Sequence, residues 1–145
     1  MQLFRHLKCA VTLTAALWGA AVSAQETTAS SGIALELNAA DLIGEACRIT
    51  FVATNQMDVP VDKTIYETVL FSTDGQVLML TLFDFGVLPP SVPRVRQFQV
   101  ADTACSRIGM VLINGANMCT VQGKKSPVCT QGLTTTSRLE IKLQG

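Results

Sequence analysis

The sequence predicts an all-β fold, an immunoglobulin-like antiparallel β-sandwich of about seven strands. Three observations carry this expectation. Apolar and polar residues alternate with a period of two in segment after segment, turn-forming dipeptides recur at short intervals, and no long stretch shows a helical period.

Ile33, Leu35 and Leu37 alternate with Ala34, Glu36 and Asn38, as a half-buried strand requires. A helical turn or two is expected over Ala39 to Glu45, the only helix candidate in the chain. Cys47, Ile49, Phe51 and Ala53 then alternate against Arg48, Thr50 and Thr54. A third strand covers Thr64 to Ser72, rich in β-branched and aromatic residues, and Asp74-Gly75 follows as a hairpin signal. The return strand is Gln76 to Phe85. Pro89, Pro90 and Pro93 break the chain before a fifth strand, Arg94 to Val100. Strand six runs from about Arg107 to Asn114 and is closed by Asn114-Gly115, again by the turn preference of Asn-Gly. The seventh strand alternates Leu139, Ile141 and Leu143 with Arg138, Glu140 and Lys142.

Ahead of these strands, Arg5 and Lys8 precede an apolar run from Cys9 to Val22, and Val22-Ser23-Ala24 offers a small-x-small cleavage site. This is the pattern of a secretory signal peptide over 1–24, too short to span a membrane, which needs about 20 apolar residues. Residues 25–32 read as a flexible polar leader and 33–145 as one domain. Export to the periplasm with cleavage after Ala24 is the expectation, with no stable membrane anchor afterwards. Removing 24 of the 145 residues leaves 121, enough for one core and too few for two. Of 11 basic and 11 acidic residues, Arg5 and Lys8 leave with the signal, so the mature chain is mildly acidic. No basic field exists to hold nucleic acid.

Cleavage also removes His6 and Trp18, the only histidine and tryptophan. Without imidazole there is no Ser-His or Cys-His pair, and the acids are too scattered for a two-carboxylate hydrolase. No catalytic residue, cofactor or metal site is assigned. Met57, Met79, Met110 and Met118 lack the regular spacing of a soft-metal site. Four cysteines remain: Cys47, Cys105, Cys119 and Cys129. An even number in an exported chain, with no CxxC pair, favours disulfides. Cys47 begins strand two and Cys105 precedes strand six, which runs the same way, whereas Cys119 and Cys129 lie together at the other end. The expected pairs are therefore Cys47–Cys105 and Cys119–Cys129.

The segment from Glu67 to Val100 holds the candidate interaction residues Glu67, Asp84, Arg94, Arg96 and Phe98. By parity Glu67 shares a face with Ile65, Val69 and Phe71, a carboxylate in an apolar stripe. Arg94 and Arg96 share a face with Phe98 and Val100. A buried carboxylate needs a partner, so a structural Glu67–arginine bridge between strands is expected, with a carboxylate or peptide recognition site, or an ordinary exposed strand face, as the alternatives and Asp84 able to serve the same arginines. Strand four, Val77 to Phe83, is apolar on both faces. An antiparallel strand normally keeps one face polar, so either a loop or a partner, an envelope protein or a second copy, is expected to cover it.

Glu67-Thr68-Val69-Leu70-Phe71, Leu80 to Phe85, Leu88-Pro89, Pro93 to Phe98, Cys105 and Leu112 to Gly115 together resemble a family of small exported bacterial proteins, often labelled Tat pathway signal sequence domain proteins. The resemblance covers most of the mature chain and implies no activity. Twin-arginine export would need a second arginine where this chain has Arg5-His6. The expected function is a non-catalytic periplasmic domain that binds another envelope protein. The alternative is a small-ligand or carboxylate-binding protein using Arg94 and Arg96.

Overall fold

The computed structural model describes residues 31–145, so the signal segment and the leader to residue 30 lie outside the described residues. Two sheets pack face to face as a β-sandwich. One has the order β5-β2-β1-β8, from Arg94–Val100 (β5), Ala46–Asn55 (β2), Ile33–Ile43 (β1) and Thr134–Ser137 (β8). The other has the order β4-β3-β6-β7, from Val77–Leu88 (β4), Val61–Ser72 (β3), Ile108–Val121 (β6) and Lys124–Lys125 (β7), with Lys142–Gln144 (β9) also on β6. The all-β sandwich expected from the alternation is what the chain forms. It has nine strands among the described residues, and two pairings, β1 with β8 and β6 with β9, are parallel.

Inward residues follow the period of two. Ile33, Leu35 and Leu37 of β1 and Cys47, Ile49, Phe51 and Ala53 of β2 are fully or almost fully buried. From the opposite sheet Tyr66, Leu70, Phe83 and Phe85 meet them. Phe51 packs edge-on against Phe85 at 5.5 Å and against Phe83 and Phe98 at 6.0 Å, while Phe83 and Phe98 stack at 4.1 Å. Such pairs add about 0.5–1.5 kcal/mol each beyond their burial. The buried Tyr66 hydroxyl donates to the Cys129 carbonyl at 2.8 Å, which anchors the short helix α1 (Val128–Gln131) to the core. Asn55, also fully buried, donates to Val59 and Leu88 carbonyls and accepts from Met57 N–H, tying the β2–β3 loop to the end of β4.

Four local expectations are corrected. Ala39 to Glu45 is not helical. Asn38 bulges out of the β1–β2 ladder, Ala39 and Ala40 pair with Thr50 and Ile49, and β1 runs on to a two-residue turn with Gly44 at φ +62°. Glycine at that first turn position is what a tight hairpin favours, and the ladder outweighs the helix preference of alanine. Asn114-Gly115 does not end β6. Asn114 and Asn117 are the extra residues of two bulges against β3, and the turn comes at Gln122-Gly123, both at positive φ. The final alternating run is not one strand. The chain pairs with β1, leaves it at Arg138, and crosses to β6 as β9, with the Ser137 hydroxyl donating to the Ile141 carbonyl at 2.6 Å and accepting from Leu139 N–H. The domain also takes in Gly32, at the end of the expected leader. It is buried, and a Cβ there would sit 2.0 Å from the Gly132 carbonyl oxygen, so two glycines let the backbones touch.

The hairpin at Asp74-Gly75 forms as expected, and both disulfides pair as expected, Cys47–Cys105 and Cys119–Cys129. Cys47 lies opposite Val100 in the β2–β5 ladder, so the turn after β5 returns Cys105 beside it. Non-reducing peptide mapping should recover these two links. The bridges span 58 and 10 residues, so chain entropy assigns them about 4 and 3 kcal/mol. In denaturant melts Cys47→Ala/Cys105→Ala should therefore lose more than Cys119→Ala/Cys129→Ala; the reverse order would show that the smaller loop is the more structured one.

Candidate functional site

The side chains singled out in the sequence come from three neighbouring strands and divide into two groups. On β3 the inward residues are Thr64, Tyr66, Thr68 and Leu70, all fully buried, so Ile65, Glu67, Val69 and Phe71 form the outer face. This reverses the orientation read from the sequence, because both parities of the strand carry apolar side chains. The hydroxyl-bearing set enters the core, and the carboxylate stays out of it. Glu67 makes no arginine bridge: its Oε1 accepts a short hydrogen bond from Asn114 Nδ2, on β6.

Arg96 does face the gap between the sheets, alongside Phe98 and Val100. Its partners are carbonyl oxygens rather than a carboxylate. Nε donates to Phe85 at 2.7 Å, Nη1 to Val95 at 3.0 Å and Nη2 to Val87 at 3.4 Å. Phe85 and Val87 belong to the outer edge strand of the opposite sheet, so this guanidinium covers part of an open strand edge. Asp84 pairs instead with Lys63 of β3 at 2.6 Å, and its Oδ1 accepts from Gly86 N–H, where the chain bulges at φ +69°. The Lys63 hydrogen bond, helped by Gly86 and by the charges of Lys63 and Arg96, holds the Asp84 carboxyl below the usual carboxylate range. Arg94 is half-buried opposite Ala53.

The second group is the outer face of β4-β3-β6. Pairing places residues there in rows across the three strands: Val77, Phe71 and Met110; Leu80, Val69 and Leu112; Leu82, Glu67 and Gly115; Asp84, Ile65 and Met118. Val77, Leu80 and Leu82 are 62%, 59% and 51% exposed. The loop that the sequence allowed over this face is not supplied by the described residues. An apolar outer face on an antiparallel sheet, ending in an edge strand, is unusual for a free surface. The periodicity of β4 revealed this face; the contribution of β6 was hidden by the expected turn at Asn114-Gly115.

A separate open groove of about 560 Å³ lies between β6 and α1, bordered by Met118, Lys125, Ser126, Thr130 and Gln131. Neither Arg94 nor Arg96 reaches it.

Because Glu67 is not a buried partner of an arginine, Glu67→Ala should change stability by less than about 0.5 kcal/mol. Arg96→Ala leaves the Phe85 and Val87 carbonyls without their donors and should cost about 1–3 kcal/mol in denaturant melts. Equal costs for the two would overturn the roles assigned here. Asp84, with a depressed folded pKa, contributes stability above the ordinary carboxylate range that is lost as pH falls through its folded pKa. The pair is half-exposed, so Asp84→Asn should flatten the acid limb of a stability–pH curve by no more than about 1 kcal/mol.

No family model matches this sequence, and no curated protein matches it. The structure of IrmA from Escherichia coli superposes with a TM-score of 0.56 over 72% of this chain and 90% of that one, at 12% identity. That likeness concerns the fold: this chain builds the same kind of two-sheet β-sandwich.

Proposed function

We propose that this chain is an exported, non-catalytic periplasmic domain that binds another protein of the cell envelope through the outer face of β4-β3-β6. The exposed Val77, Leu80 and Leu82 of β4 and Met118 of β6, with half-buried Ile65 and Phe71 between them, carry the reading. Surfaces of this kind, on a domain with a complete core of its own, are those that partners cover. Export is supported by the signal-like pattern before Ala24 and by the use of all four remaining cysteines in disulfides, which persist in oxidising compartments. Among the described residues no helix is long and apolar enough to cross a membrane. The alternative, capture of a small carboxylate by Arg94 and Arg96, has less support because Arg96 spends three donors on backbone carbonyls.

The test is a photo-cross-linking residue at Leu80, compared with one at Val95 on the opposite sheet, in the periplasm of the native host. Adducts specific to Leu80 are expected. Leu80→Asp with Leu82→Asp should abolish partner recovery while moving the folding free energy by no more than about 0.5 kcal/mol, since both side chains are more than half exposed. Equal adducts from both faces, or undiminished recovery by the double variant, would refute the assignment.

A further inference from the structure

Glu67 is the one charged residue in the middle of the apolar rows. Leu82 flanks it on β4 and Gly115 on β6, and Ile65 and Val69 precede and follow it on the same face of β3. Its Oε1 accepts from Asn114. A carboxylate has about four acceptor positions, so one amide donor leaves most of its capacity to water. Lys63, on the same strand, is committed elsewhere, because its Nζ lies 2.6 Å from Asp84. The other ion pairs among the described residues are Arg48 with Asp41 and Arg138 with Glu36, so none of them includes Glu67.

We infer that the protein seated on this face places an arginine or lysine, flanked by apolar side chains, on the Glu67 carboxylate. The inference rests on the proposed binding role of the face and adds the chemistry of the partner. A wholly apolar partner would strip water from Glu67 and return nothing, which is a heavy penalty for a carboxylate. A second copy docked about a two-fold axis through this point would set carboxylate against carboxylate. A cation removes the penalty, and a planar guanidinium can meet both oxygens while its stem lies along the leucines. Space for it exists. Gly115 has no side chain, and the position its Cβ would take meets no residue other than its chain neighbours within 4 Å, leaving open space beside the carboxylate.

The probe is a phage-displayed library of random dodecapeptides, panned on the mature, oxidised protein. Enriched peptides are expected to carry arginine or lysine between aliphatic or aromatic residues. As synthetic peptides they should lose about tenfold or more in affinity on Glu67→Gln, and more on Glu67→Lys. Peptides that lack a basic residue, or bind Glu67→Gln as well as wild type, overturn the inference, and if Leu80→Asp still abolishes them the binding face itself stands. Peptides indifferent to Leu80→Asp overturn the face. A library with no enrichment over that on the Leu80→Asp variant counts against both.

Discussion

Packing of Phe51 against Phe83, Phe85 and Phe98 fixes which way the strands face, and the rest of the molecule follows from it. Strand side chains alternate, so once Phe83 and Phe85 of β4 enter the core, Leu80 and Leu82 must point out. Tyr66 meets Phe85 at 5.5 Å from the neighbouring strand, which turns Glu67 and Val69 outward in the same stroke. The same cluster draws Phe98 inward and brings Arg96, two residues earlier, to the gap between the sheets. The apolar outer face and the covered strand edge are thus two consequences of one set of aromatic contacts.

How much of this was legible from sequence depends on whether the signal was local. Strand existence was legible, because Ile33-Leu35-Leu37 and Cys47-Ile49-Phe51 have only one apolar parity. The cysteine pairs were legible because strand direction sets which end each occupies. The orientation of β3 was not, since Ile65-Val69-Phe71 and Tyr66-Leu70 offer apolar sets on both parities and only contacts with the other sheet choose between them. Ala39-Ala40 looked helical for the same reason that Asn114-Gly115 looked like a turn. Local propensity is a preference of about a kilocalorie per residue, and ladder pairing on a neighbouring strand overrides it. Asn55 gave no sequence signal at all. Its role exists only because the chain returns near Leu88 to meet its amide.

Candidate residues divide along the same line. Residue type identified Glu67, Asp84, Arg94, Arg96 and Phe98 as worth placing, but type does not say which acid meets which base. Asp84 took Lys63, one strand away, and Arg96 took carbonyls across the gap between the sheets. What distinguishes Glu67 is the surroundings rather than the side chain: Asp41, Asp84 and Glu36 each meet a lysine or arginine, whereas Glu67 sits in a field of leucine, isoleucine and valine.

The crossing of the last strands has a bearing on when this domain becomes stable. β8 completes one sheet by pairing with β1, and β9 extends the other on β6, so both sheets wait for the same short stretch of chain. Arg138 closes on Glu36 across a separation of 102 residues. Contacts of such separation form slowly, because the loop entropy is lost before the contact offsets it. Until Thr134–Ser137 is in place, β1 has β2 as its one ladder partner among the described residues, so neither sheet is complete without the segment that follows α1.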